Sequence, residues 1–179
     1  MKELQYNRKA AKVVLVIVII LSLVLGCNRS VHKLENAVED AYTNGTQAYG
    51  TPINDVAAYT KNGEELYAIA EVYGYATEGF KEGLATLKVK GGSVTAVQGP
   101  LEAVKYEAEQ AYNRLLVESD VPQYDRDAAI MYMTQMEGAL YKLKNNVVYA
   151  EAAEKYNKAI KALLPKLIMH SAQPAVLFE

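Results

Sequence analysis

The chain has 179 residues, with 19 Lys and Arg against 21 Asp and Glu, and a formal net charge of −2 at pH 7. Beyond residue 27 it carries 15 basic and 20 acidic side chains, which excludes the basic surface that nucleic-acid binding requires. The only cysteine is Cys27, so a disulfide framework is excluded and packing alone must stabilise the fold.

The chain begins with a basic segment followed by an apolar one. Lys2, Arg8, Lys9 and Lys12 precede an apolar segment that runs from residue 13 to 25 with a single polar residue. This order is typical of a membrane anchor or an export signal, whereas a buried core helix of the same length lacks the basic flank. The excess of basic residues on the leading side predicts a cytosolic N-terminus and a body outside the cell membrane.

Three uses of the apolar segment remain open. From Val13 to Asn28 the uncharged stretch spans about 24 Å as a helix, somewhat short of the ~30 Å hydrocarbon core, and snorkelling by Lys12 and Arg29 would extend it into a retained signal-anchor. The alternative is a lipoprotein signal, because Val24-Leu25-Gly26-Cys27 is similar to a lipobox with Cys27 as the acylated residue. A plain secretory signal is disfavoured, since no Ala-x-Ala site ends the segment.

The body, residues 28–179, is predicted to be one helical domain following an anchor or signal at residues 1–27. The first helix has an apolar stripe and ends at Asn44-Gly45. The second runs from about Ile53 to Tyr73, and Asn62-Gly63 in its middle predicts a kink or a local break. Residues 74–92 have helical apolar spacing but several glycines, so their state stays open. The apolar stripe of the first helix consists of Val31, Leu34, Val38, Ala41 and Tyr42.

Two further long helices are predicted in the second half. Pro100 opens the third helix, which ends before Val121-Pro122. The fourth begins near Asp125, is bent or interrupted at residues 145–146, resumes at Val147 and ends or kinks at Pro165. The predicted fold is an all-α, antiparallel up-down bundle of about four long helices. The fourth helix is predicted to bury Ile130, Met133, Met136, Leu140 and Leu143, then Val148, Ala152, Tyr156, Ile160 and Leu163.

Residues suited to catalysis, cofactor binding or metal binding are few. The two histidines, His32 and His170, lie far apart in sequence, neither forms a metal-binding motif, and no nucleotide-binding glycine motif occurs. The sequence therefore predicts no catalytic residue, no cofactor and no metal. Tyrosine is common, with 14 residues against two Phe and no Trp. Because tyrosine has an apolar body and a polar tip, five are predicted to serve core packing or partner contact: Tyr59, Tyr67, Tyr73, Tyr149 and Tyr156.

The two ends of the body resemble the bacterial LemA family. After the apolar segment and Asn28, the first helix has the pattern Leu-x-x-x-Val-x-x-Ala-aromatic, and the last has Tyr149 seven residues before Tyr156-Asn157. A tail closing in Phe178-Glu179 follows. The resemblance implies a membrane-tethered antiparallel helical bundle without known catalysis, and it carries over no active site. The residues that match the first pattern are Leu34, Val38, Ala41 and Tyr42.

These observations predict a non-enzymatic, membrane-tethered protein of the bacterial cell envelope. Its expected partners are the lipid bilayer and either another protein or a second copy of itself, with no nucleic acid. The alternative is a ligand-binding lipoprotein acylated at Cys27, whose helices hold a small apolar or sugar-like molecule in a tyrosine-lined pocket.

Overall fold

The structure is a computed structural model that describes residues 2–45, 50–162, 165–166 and 172–178. Within these ranges the fold is all-helical, as predicted, and contains six helices. They are α1 (Lys2–Thr43), α2 (Pro52–Val72), α3 (Glu78–Lys90), α4 (Gln98–Val117), α5 (Gln123–Lys144) and α6 (Val147–Lys161).

Helix α1 continues without a break from the apolar segment into the body. Among the described residues, it holds the one stretch that is long and apolar enough to cross a membrane, between Ala10 and Thr43. Its predicted end is confirmed, because the helix stops at Thr43 and Gly45 takes a φ of 56°, which favours glycine. The backbone N–H groups of Asn44 and Gly45 both donate to the Asp40 carbonyl and so close the last turn.

Helix α2 is continuous through Asn62-Gly63, so the predicted local break is wrong. Gly63 instead permits a close approach of neighbouring helices. A Cβ at this position would lie 2.9 Å from Cδ2 of Leu84 and 3.3 Å from Cε of Met136, closer than side chains normally pack. The low helix propensity of glycine is therefore offset by packing.

The open question at residues 74–92 is resolved as a helix over Glu78–Lys90. Thr77 caps its start, since the Thr77 hydroxyl accepts from the backbone N–H of Phe80 at 3.0 Å. Phe80, Leu84 and Leu87 lie on one buried face, which agrees with their helical spacing in the sequence. The predicted interruption at residues 145–146 is confirmed, because α5 ends at Lys144 and α6 begins at Val147. The start of α4 shifts by less than a turn, to Gln98 from the predicted Pro100.

The predicted burial of Met133, Met136 and Leu143 in α5 and of Tyr156 in α6 is confirmed, whereas other buried positions of these helices differ from the prediction by one residue. Ile130 is 41% exposed, and the α5 face that packs inward carries small residues between its methionines. In α6, Tyr149 and Ala153 are buried in place of their neighbours Val148 and Ala152, which are only half-buried. Leu163 of the predicted stripe lies outside the described residues. The buried residues are Ala129, Met133, Met136, Ala139 and Leu143 in α5, and Tyr149, Ala153 and Tyr156 in α6.

The body has two hydrophobic clusters. The larger joins α2, α3, α4 and α5, and the smaller joins the second half of α1 to α6 and to Ala175 of the C-terminal segment. Phe178 packs against both clusters, and the neighbouring Val176 belongs to the larger one. The C-terminal segment therefore lies along the seam between the two clusters.

Candidate functional site

The five tyrosines predicted from the sequence lie in two separate places. Tyr59 and Tyr67 belong to α2 and Tyr73 directly follows it, and all three pack in or against the larger cluster. Tyr149 and Tyr156 belong to α6 and to the smaller cluster. Tyr67 packs edge-on against Phe80, with ring centroids 5.6 Å apart. The structure does not bring the five together at one surface.

Several of these tyrosines have a raised pKa. Burial is the first cause for Tyr59 and for Tyr149, whereas the hydrogen bond that Tyr73 donates to Asp125 is the first cause of its raised pKa. For Tyr156, burial raises the pKa first, and the carboxylates of Glu35 and Glu39 on α1 raise it further. Tyr156 and these two glutamates line the same cleft.

A cleft of about 450 Å³ lies where α1 passes the segment between α3 and α4. We call it the acidic cleft, because three carboxylates of α1 line it and no Lys or Arg side chain of the described residues does. On the opposite side it is bounded by residues 92–95. The residues that define it are Glu35, Glu39, Asp40, Tyr42, Thr95 and Tyr156.

Tyr42 fixes one wall of the acidic cleft. Its side chain is fully buried, its hydroxyl donates to the Gly91 carbonyl, and its ring packs on Tyr149 with centroids 5.5 Å apart. These contacts tie α1 both to the end of α3 and to α6. In the sequence, Tyr42 belongs to an apolar stripe, and no sequence pattern indicates its hydrogen bond to Gly91.

The C-terminal segment is held by a second group of residues, which we call the tail clasp: Val94, Tyr149 and Asn157. The Asn157 side chain donates to the Ala175 carbonyl and accepts from the Ala175 N–H, both at 2.8 Å. Tyr149 donates its hydroxyl to the Val176 carbonyl at 2.7 Å, and the Val94 carbonyl accepts from the Val176 N–H at 2.8 Å. All four bonds reach backbone atoms of Ala175 or Val176, so the clasp holds the main chain of the C-terminal segment.

Replacing Asn157 with leucine should loosen the tail clasp. The substitution removes both hydrogen bonds to Ala175 and leaves a part-buried N–H and carbonyl without them, which costs about 2–3 kcal/mol of unfolding free energy. We expect a lower urea midpoint and faster hydrogen exchange at the Ala175 amide. Lys158→Ala, on the exposed side of the same turn, is the matched control. Unchanged protection of the Ala175 amide in Asn157→Leu would contradict the assigned role.

Cys27 and His32 lie on α1 and do not form a reactive pair. Cys27 is free and half-buried within the continuous helix. His32 is exposed, and its Nδ1 lies 2.8 Å from Oε2 of Glu35. His170 lies outside the described residues. Among the described residues, no group of three His, Cys, Asp or Glu side chains is arranged to hold a metal ion.

Comparisons of the chain with family models, with curated proteins and with solved structures found no significant match.

Proposed function

We propose that the protein is a membrane-tethered, non-enzymatic helical bundle of the bacterial cell envelope that acts through contact with another protein or with a second copy of itself. The observation that carries the tether is the exposed apolar segment of α1. The large apolar side chains from Val13 to Leu23 are 50 to 60% exposed on all sides of the helix, so no part of the described body covers them. An apolar surface of this size in water is unfavourable, and a lipid bilayer would cover it.

The proposal includes an up-down arrangement of antiparallel helices. Tyr73 at the end of α2 contacts Asp125 at the start of α5, which supports opposite directions for that pair. Thr77 just before α3 donates to Glu107 of α4 at 2.6 Å. Tyr42 near the end of α1 packs on Tyr149 near the start of α6. With the resemblance of the two chain ends to the LemA family, these contacts support a LemA-like bundle.

The proposed orientation puts the N-terminus in the cytosol and the body outside the membrane. Four basic residues precede the apolar segment, and only Arg29 and Lys33 follow it closely. The bias in basic residues favours this direction of insertion. Removing the body with an external protease in spheroplasts, while the membrane is sealed, tests it.

The partner surface is proposed to include the outward face of α5. Tyr124 and Met131 are seven residues apart, so they lie on the same side of the helix, and both are exposed. Exposed aromatic and methionine side chains are enriched where proteins contact each other. This face is distinct from the five tyrosines that the sequence singled out, of which Tyr59, Tyr149 and Tyr156 are buried.

Co-expression of two full-length copies with different tags tests self-association. After crosslinking in intact membranes, we expect one tag to recover the other, and a photo-crosslinking residue at position 124 to report the contact. A photo-crosslinking residue at position 59, which is buried, is the matched control. Repeated recovery of neither a self-complex nor a defined partner would contradict the proposed mode of action.

A ligand-binding lipoprotein acylated at Cys27 is the second candidate function. The acidic cleft favours its ligand-binding half, since Tyr42 and Tyr156 line a space large enough for a small molecule. The mass of the mature protein, together with the membrane retention of the variant Cys27→Ser, shows whether the protein is lipidated. An intact N-terminus, with Cys27→Ser still in the membrane, means a retained anchor. Cleavage before Cys27 with added acyl mass means a lipoprotein.

A further inference from the structure

The basic and acidic residues of the body are unevenly distributed along the chain. Residues 4–34 and 155–178 contain no Asp or Glu. Five of the 15 basic residues beyond residue 27 lie in residues 28–34 and 157–166, whereas the rest of the body holds the other 10 with all 20 acidic residues. All five are exposed, and none forms an ion pair with another described residue. We call them the basic group: Arg29, Lys33, Lys158, Lys161 and Lys166.

Two contacts between α1 and α6 relate the positions of these helices along their common length. The rings of Tyr42 and Tyr149 have centroids 5.5 Å apart. Seven residues later in α6, Tyr156 lines the same cleft as Glu35, which lies seven residues earlier in α1. Both contacts fit the proposed antiparallel arrangement, in which each residue further along α6 lies level with one residue earlier in α1.

This register brings the lysines at the end of α6 close to the end of the apolar segment. Lys161 follows Tyr149 by twelve residues and so lies level with Ser30, about 3 Å along the helix from Asn28. By the same measure, Lys158 lies about 7.5 Å from the level of Asn28. The headgroup layer adds about 5–8 Å to each side of the hydrocarbon core of a bilayer. Both lysines therefore lie at headgroup depth.

The packed face of α1 also extends down to the apolar segment. Val24, Cys27 and Asn28 are half-buried, whereas the other residues from 10 to 30 are exposed. These three residues are three or four positions apart and share a helix face with Val31, which is buried. The body therefore packs on α1 as far as the boundary of the apolar segment, which agrees with the level that the register gives for the end of α6.

We propose that the basic group binds the headgroups of anionic phospholipids in the bilayer that holds α1. Lys and Arg side chains donate charge-assisted hydrogen bonds to phosphate oxygens. The rest of the body is strongly acidic, so an anionic bilayer surface would repel it and attract the end that carries the basic group. The inference rests on the proposed tether and names the class of lipid that the tethered body recognises.

Quenching of a single tryptophan by brominated lipids tests the proposal. The chain has no Trp, and Leu25 is 67% exposed, so Leu25→Trp adds one reporter at the end of the apolar segment without removing a core contact. The full chain with this substitution is reconstituted in mixed vesicles of phosphatidylcholine and phosphatidylglycerol, with one lipid brominated on its acyl chains at a time. The two series give the relative binding constant of the lipids beside position 25.

We expect phosphatidylglycerol to be preferred about fivefold, because one headgroup meets one or two basic side chains and each strengthens binding by about this factor. The preference should fall as salt is raised toward about 1 M, where charges at the surface are screened within about 3 Å. A preference for phosphatidylglycerol that is the same at low and high salt would overturn an electrostatic contact with the headgroup.

Lys158→Gln with Lys161→Gln locates the bound lipid at the end of α6. Both side chains are exposed, so the substitutions remove charge without removing a buried contact. The variant also leaves Arg29 and Lys33 unchanged, which keeps the basic residues beside the apolar segment that influence the direction of insertion. We expect the preference for phosphatidylglycerol to fall about threefold. Circular dichroism shows that the helix content is retained.

The matched control is Lys90→Gln with Lys144→Gln, which removes the same charge from two exposed positions. Lys90 precedes Gly91, whose carbonyl accepts from Tyr42, about 21 Å along α1 from Asn28. At this distance the control substitutions should leave the lipid preference unchanged. An equal fall in the control variant, or equal binding of both lipids before any lysine is replaced, overturns the proposal.

Quenching by brominated phosphatidylcholine separates this inference from the tether on which it rests. If both brominated lipids quench the tryptophan and bind equally, the tether holds and the anionic lipid class is wrong. If neither brominated lipid quenches it, position 25 lies outside the bilayer, and both the tether and the lipid class are contradicted.

Discussion

Two arginines in the apolar segment, Ile17→Arg with Ile20→Arg, will remove the protein from the membrane fraction. Both side chains are exposed and lie near the middle of the apolar segment of α1. One arginine at the centre of a spanning helix costs about 2.5–3.5 kcal/mol on insertion scales, so two cost about 5–7 kcal/mol. This exceeds what the remaining short apolar stretch can offset. Fractionation of cells followed by carbonate extraction measures the result.

The matched control for the anchor is Ile17→Leu with Ile20→Leu. Leucine keeps the helix apolar and favours insertion about as well as isoleucine, so this variant should stay in the membrane pellet. Retention of the double arginine variant after carbonate extraction would show that another part of the chain holds the protein at the membrane. Total protein by immunoblot separates loss of anchoring from loss by degradation.

Replacing Tyr42 with alanine should lower the unfolding free energy by about 4 kcal/mol. Tyr42 is fully buried, and removing a buried aromatic ring typically costs about 3–5 kcal/mol. The substitution also removes the tilted ring contact with Tyr149 and the hydrogen bond to the Gly91 carbonyl. Urea denaturation of the full chain in detergent micelles, followed by circular dichroism, gives the midpoint and the slope.

Tyr42→Phe separates the two parts of this effect. Phenylalanine keeps the ring contact with Tyr149 and loses only the hydroxyl, so the expected cost is about 1 kcal/mol. Because Tyr42 joins α1 to both α3 and α6, the alanine variant should also speed hydrogen exchange in α6. Equal midpoints for the alanine and phenylalanine variants would mean that the ring contributes little to this junction.

The sequence predicted a helix where apolar residues recur at regular helical spacing. In α4, the residues at this spacing are all buried: Leu101, Val104, Ala108, Ala111 and Leu115. In α5 the prediction followed Ile130, the larger side chain, whereas the neighbouring Ala129 is the buried one. The close packing of α2 against α5 leaves room for a small residue, and apolar spacing alone does not reveal how near a neighbour lies.

In α2 and α3, the glycines led the sequence-based prediction to underestimate helix formation. Gly63 lowers helix propensity and predicted a break, but the contact with Leu84 and Met136 maintains the helix. Propensity is a local quantity, and here a tertiary contact overrides it. The helix at residues 78–90 stayed open for the same reason.

The candidate site depends mostly on contacts between residues distant in sequence. Glu35 and Glu39 are visible as a pair four residues apart, but nothing in the sequence places Tyr156 opposite them. The partners of Tyr42 and Asn157 are likewise backbone atoms, 49 and 18 residues away. Backbone groups are the same at every position, so the sequence carries no mark of which one a side chain will reach.

In the proposed membrane-tethered arrangement, the unbroken helix α1 determines which side of the body faces each direction around the membrane normal. A helix turns by about 100° per residue, so two residues inserted between Cys27 and Val31 would swing the acidic cleft and the outer face of α5 by about 200°. The same insertion would raise the body by only about 3 Å. Neighbouring membrane proteins would therefore meet a different side of the molecule at almost the same height. A flexible linker would average these directions, and the rigid helix selects one.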